Sequence, residues 1–218
     1  MPKWVKLLLG ILLLPVCVAT AQALGKLLFA AGAADRVWLP VMAGAACWVT
    51  IFLLLPKPML IYVFGHELTH AVWTWLFGGH VKRFKAASAG GHVVTTKSNF
   101  LIALAPYFFP VYAVLLVLIF FGGDLFWPWR RTYLVWFHLL LGAAYAFHVT
   151  LTWEILKTQQ TDISSQGWVF SYVVIFLGNA MFLIVAIPLL TGNHLGHALG
   201  LWLQCNRQIL QRVVHFIL

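Results

Sequence analysis

His66-Glu67-Leu68-Thr69-His70 stands inside an otherwise apolar run from Met59 to Phe77. On a helix, His66 and His70 are one turn apart and point to one face, where two imidazoles can share one Zn²⁺. Glu67 lies beside them, in place to act as general base toward a water that the ion activates. The apolar setting strengthens this reading. A carboxylate and two imidazoles are costly in hydrocarbon, so at membrane depth they read as a functional group of residues. The structural alternative is a packed helix whose His and Glu hydrogen-bond to neighbouring spans.

Two histidines do not complete a catalytic zinc site, which takes three protein ligands and leaves a position for water. The acids available are Asp35, Glu67, Asp124, Glu154 and Asp162. If spans alternate across the membrane, the Asp162 loop emerges on the same side as the segment after the motif, and Asp124 on the other. Asp162 also precedes a span, whose N-terminus could orient a carboxylate. It is the expected third ligand, with His148, Glu154 and Asp124 as alternatives. His138 and His148 are expected to serve as interhelical hydrogen-bonding residues.

Positioning such a site is work for a membrane fold. Hydrophobic residues make up 62% of the 218, and charged ones only 9%. That composition excludes a soluble globular domain and predicts an all-α polytopic membrane protein. A span needs roughly 20 apolar residues, so the length holds about six in one membrane domain covering residues 1–218. The net charge of +9 does not indicate nucleic-acid binding, because Lys and Arg sit singly or in small groups between apolar runs. Such charges orient spans and meet anionic headgroups. Over alternating spans they divide evenly between the two sides, so they fix no orientation. Cys17, Cys47 and Cys205 are far apart, form no Cys-x-x-Cys, and are expected to be packing residues.

The first span follows Lys3 and Lys6, from Leu7 to Ala23. Its Ala21-Gln22-Ala23 mimics a signal-peptidase site, and an uncleaved span is the preferred reading. The second runs from Val37 to Leu55 and stops at Pro56-Lys57-Pro58. The motif span ends at Gly78-Gly79. Between His80 and Ser98, two segments flank Gly90-Gly91, and β-branched Val93 to Thr96 predict a β-hairpin turning at the two glycines. A fourth span, from Asn99 to Phe121, contains Pro106 and Pro110. The carbonyls these prolines free must be satisfied by neighbouring helices or a cavity. Aromatic residues around Trp127-Pro128-Trp129 mark an interfacial turn. The fifth and sixth spans cover Thr132 to Trp153 and Trp168 to Leu190, with His194 to His197 as an interfacial turn after them. Residues 199–218 have the pattern of an amphipathic helix on the membrane surface.

The run His66-Glu67-Leu68-Thr69-His70-Ala71, the following Leu76-Phe77-Gly78-Gly79 and the Gly-Gly-containing hairpin resemble the site-2 protease family of intramembrane zinc metalloproteases. The likeness extends from Phe64 to Pro110. It implies that His66 and His70 bind zinc with a distant aspartate, that Glu67 is the base, and that the segment around Gly90 and Gly91 pairs with an unwound transmembrane substrate. Many members have glycine where this chain has Thr69. Their third-ligand aspartate precedes glycine, whereas Asp162 precedes Ile163.

Two other classes compete. Membrane di-iron desaturases and hydroxylases use about eight histidines with adjacent pairs; this chain has nine but no adjacent pair. A catalytically inactive scaffold would not need Glu67. The expectation is therefore a multi-pass zinc endopeptidase, with a bacterial cytoplasmic membrane preferred. Its partners would be the bilayer and a transmembrane protein substrate, and not nucleic acid.

Overall fold

The computed structural model describes residues 1–32 and 34–217. The chain is mainly helical, with one two-stranded sheet, and forms two compact units, residues 35–160 and residues 1–34 with 161–218. Among the described residues, three helices are long and apolar enough to cross a membrane, or up to five spans if each of two bent pairs counts as one.

The larger unit opens with α3 (Asp35–Leu54), of which Gly44 alone is buried while Leu39, Leu53 and Leu54 are exposed. An apolar surface of that extent suits contact with lipid. Its buried side meets α7 (Arg130–Leu156). The two backbones touch: a Cβ on Gly44 would strike the carbonyl oxygen of Leu139, and one on Gly142 that of Val41. Small residues permit this approach in membrane helix pairs. The Trp48 indole N–H adds a 2.9 Å bond to the Thr150 hydroxyl.

The motif helix, α4 (Met59–Leu76), is not among the apolar spans, because His66, Glu67 and His70 interrupt its hydropathy. It ends at Gly78, whose φ of 68° is left-handed. The N–H of Gly79 then reaches the Thr74 carbonyl, and Lys97 Nζ donates to the Phe77 carbonyl at 2.9 Å. Both satisfy acceptors that a helix C-terminus leaves open.

Strands β1 (Val81–Ala87) and β2 (Gly90–Thr95) form the expected hairpin and pack on α4. The turn differs from the expectation: it falls at Ser88-Ala89, and Gly90 and Gly91 belong to β2, paired with Ala87 and Ala86. Packing explains this, since Gly91 is required by what lies beneath the strand, as described below.

The fourth apolar stretch is broken into α5 (Phe100–Phe108) and α6 (Val111–Asp124), bent by 76°. Asn99 caps α5 by accepting from the Ile102 N–H at 2.8 Å. Pro110 forces Phe109 into extended backbone (φ −102°, ψ 105°), which ends α5. After α6, Asp124 accepts from the Arg130 N–H at 2.9 Å, and Trp129 donates to the Phe120 carbonyl.

The smaller unit contains α1 (Lys3–Leu12), α2 (Leu14–Ala30), α8 (Thr161–Gln166), α9 (Trp168–Thr191) and α10 (Leu195–Ile217). Pro15 near the start of α2 accompanies a 42° bend from α1. Ala21 to Ala23 lies within α2, and Ala23 is fully buried with Ala19, Leu27, Ile184, Ala198 and Cys205. The tail helix begins at Leu195, not at 199, so His197 lies in its first turn and not in a separate interfacial turn. Gly192, at φ 73°, ends α9, and the His194 carbonyl accepts from the N–H groups of His197 and Ala198. The apolar side of α10 packs on α2, where the Trp202 indole donates to Thr20 Oγ1 at 2.9 Å. Leu218, the last residue of the expected tail helix, lies outside the described residues.

Candidate metal centre

Helix α4 carries the motif with its functional side chains turned inward. Glu67 is 6% exposed and Thr69 1%, while His66 and His70 are half-buried. The two imidazole rings stand edge to face with centroids 4.9 Å apart, as one helical turn between them dictates. The Tyr107 ring on α5 packs edge-on against His66 at 5.3 Å, and Tyr62 lies 5.9 Å away. Thr69, where glycine is common in the resembled family, donates its hydroxyl to the Gly65 carbonyl at 2.8 Å. That hydroxyl is satisfied within its own helix.

His70 Nδ1 lies 2.8 Å from the carbonyl oxygen of Ile102 on α5. A carbonyl oxygen only accepts, so Nδ1 carries the proton and Nε2 keeps the lone pair. The ring is thereby presented to a metal through Nε2.

Glu67 is covered by the hairpin. A Cβ added to Gly91 would fall 2.7 Å from Glu67 Cγ, 2.8 Å from its Oε1 and 2.7 Å from the Lys85 carbonyl. Only glycine lets β2 pass this close to the carboxylate. Gly90 has open space at the same point, but its φ of 136° is a conformation that L side chains rarely adopt.

Within the larger unit His66 and His70 offer two imidazoles, one helical turn apart, to a metal ion, while Asp162, the expected third ligand, belongs to the smaller unit. Two imidazoles suit a borderline-soft divalent ion, which in a catalytic site takes one further protein ligand and keeps a position open. Asp162 stands in the first turn of α8, whose Ile163 is buried and accepts at its carbonyl from Ser171 Oγ and the Gly167 N–H.

No family model matches the chain, and neither a curated protein nor a solved structure matches it. Its site must be read from its own residues.

The two other acidic candidates are engaged elsewhere. Glu154 pairs with Lys57 at 2.6 Å and with Lys157 at 3.0 Å, and Asp124 with Arg130. His148 is buried on α7 beside a cavity against His66, lined also by Thr69, Pro106 and Tyr112. The cavity leaves about 20 Å³ open to the centre of a water molecule, room for a water on the scale such a molecule needs. His138 is buried against Phe137, and His80, His92, His194, His197 and His215 are exposed.

Sequence reading missed Ile102, Tyr107 and Tyr112 as parts of this site. For Ile102 the signal was there: it stands four residues before Pro106, so its carbonyl has no helical donor.

Proposed function

We propose that this chain is an intramembrane zinc endopeptidase of the site-2 protease kind, cleaving membrane-embedded or membrane-proximal protein segments. One observation carries the reading: two imidazoles one helical turn apart on α4, with a buried glutamate next to the first of them. The bound zinc would polarise the scissile carbonyl and make water acidic enough to lose a proton near neutrality.

Glu67 would take that proton as the water oxygen bonds to the carbonyl carbon. It would return the proton to the amide nitrogen as the C–N bond breaks, leaving one carboxylate and one amine. Burial beneath Gly91 keeps the Glu67 carboxyl close to the reacting atoms and limits its conformers. A helical substrate has its carbonyls bonded internally and must unwind before cleavage. The hairpin that carries Gly90 and Gly91 could hold the unwound segment by β-pairing at a free edge. In this reading all six apolar stretches, α4 among them, cross a bilayer, and α10 lies along its surface.

Metal analysis of detergent-purified protein is the first test. About one zinc per chain, lost in both His66→Ala and Asp162→Ala, is the expected result. Wild-type protein that folds and carries no zinc would remove the protease reading. Zinc retained in Asp162→Ala would assign the third ligand elsewhere.

A further inference from the structure

The backbone accounting of α5 explains how His70 is held. In a regular helix the Ile102 carbonyl would accept from the N–H of residue 106, but residue 106 is proline and has none. A helical carbonyl without its donor, buried in an apolar fold, needs another. Ile102 is 4% exposed, and the donor at its oxygen is His70 Nδ1, at 2.8 Å. The ring cannot both satisfy that oxygen and leave Nδ1 available to a metal. The proline therefore selects the tautomer, through a carbonyl on a different helix.

We infer that Pro106 is a positioning residue of the metal site: by withholding a backbone N–H from the Ile102 carbonyl, it reserves that carbonyl for His70 and presents His70 Nε2 to the ion. The inference rests on the metal-binding reading above. Pro110 supplies the internal comparison. It also bends the chain, but the carbonyl it frees is that of Pro106, not Ile102.

Two readouts test it. In zinc-free protein with ¹⁵N-labelled histidine, above the imidazole titration range, wild-type His70 should be the Nδ1–H tautomer. In Pro106→Ala the restored N–H competes for the Ile102 oxygen, so His70 should become a tautomer mixture. The apparent zinc Kd should rise about 10- to 100-fold, the range for lost outer partners of a ligand. Pro106→lactic acid keeps the alanine methyl but has an ester in place of the amide, with no N–H, and should restore both tautomer and affinity. Pro110→Ala should leave the tautomer unchanged.

An unaltered His70 tautomer in Pro106→Ala would overturn the inference. So would equal losses in Pro110→Ala, or failure of the lactic acid variant to fold or bind. Folding of the lactic acid variant where Pro106→Ala collapses would support it. Absence of zinc from wild-type protein would remove the protease reading and the metal-site role of Pro106 with it, while the tautomer measurement, made without metal, would decide separately whether Pro106 sets the His70 tautomer.

Discussion

Glu67 and Gly91 show how much two residues on different elements constrain one another. The carboxylate is buried, and the strand above it has no side chain because none fits. Glu67→Gln keeps the shape and, on the proposed protease reading, removes the base. It should lower cleavage by about 10²- to 10⁴-fold while zinc stays bound, measured by peptide-bond hydrolysis and metal content on the same sample. Gly91→Ala puts a methyl against both Glu67 and the Lys85 carbonyl, and the carbonyl is backbone that cannot swing aside. A loss of about 1–3 kcal/mol is expected, seen as a lower unfolding midpoint in detergent. Zinc should be retained and cleavage impaired. Gly90→Ala provides the contrast: nothing stands in its way except its own φ of 136°, so it should lose stability without disturbing Glu67. If Gly91→Ala matched wild type in cleavage, the strand would have no part in holding the base.

At the scale of elements, glycine contacts and helix ends set the frame behind α4. The α3–α7 crossing has a glycine on each helix and a carbonyl of the partner helix opposite it. Gly44→Leu and Gly142→Leu must each push the helices apart, at about 1–3 kcal/mol. The double variant should lose less than the sum, because the first substitution already opens the contact that the second would break. Denaturant titration of the four proteins checks this, and full additivity would mean that the two glycines act separately. The end of α4 makes a smaller contribution. Gly78→Ala places a side chain in the left-handed region, at about 1–2 kcal/mol, where the Lys97 cap joins the hairpin to the helix.

At the scale of the molecule the question is which apolar stretches cross. The α5–α6 pair, bent by 76°, can be a broken span or a re-entrant loop, and the two differ in where its ends emerge. The six-span reading puts the hairpin turn and the turn after α6 on opposite sides. With Cys17, Cys47 and Cys205 replaced, a cysteine at Ser88 and one at Phe126 should react with an impermeant maleimide from opposite faces of oriented vesicles. Labelling of both from one face would make α5–α6 re-entrant and reduce the number of crossings.

Much of this was legible in the chain because it depends on local chemistry. A helical run with imidazoles four apart must present them together, and β-branched residues beside glycines must leave the helix. Prolines at 106 and 110 must free carbonyls. The ends of the second, third and sixth apolar stretches followed for the same reason, within the fraying of helix ends, whereas the first runs on to Ala30 and the tail helix starts at Leu195 instead of residue 199. The hairpin turn was misplaced because glycine has two uses, a turn or a close approach, and only the approach of β2 to Glu67 tells them apart. The partner of the Ile102 carbonyl was decided by which helix lay beside α5, since a freed acceptor specifies a need and not its donor. The sequence supplied five acids and a topology that preferred one, but metal ligation depends on distances of a few ångströms, which spacing along a chain does not encode.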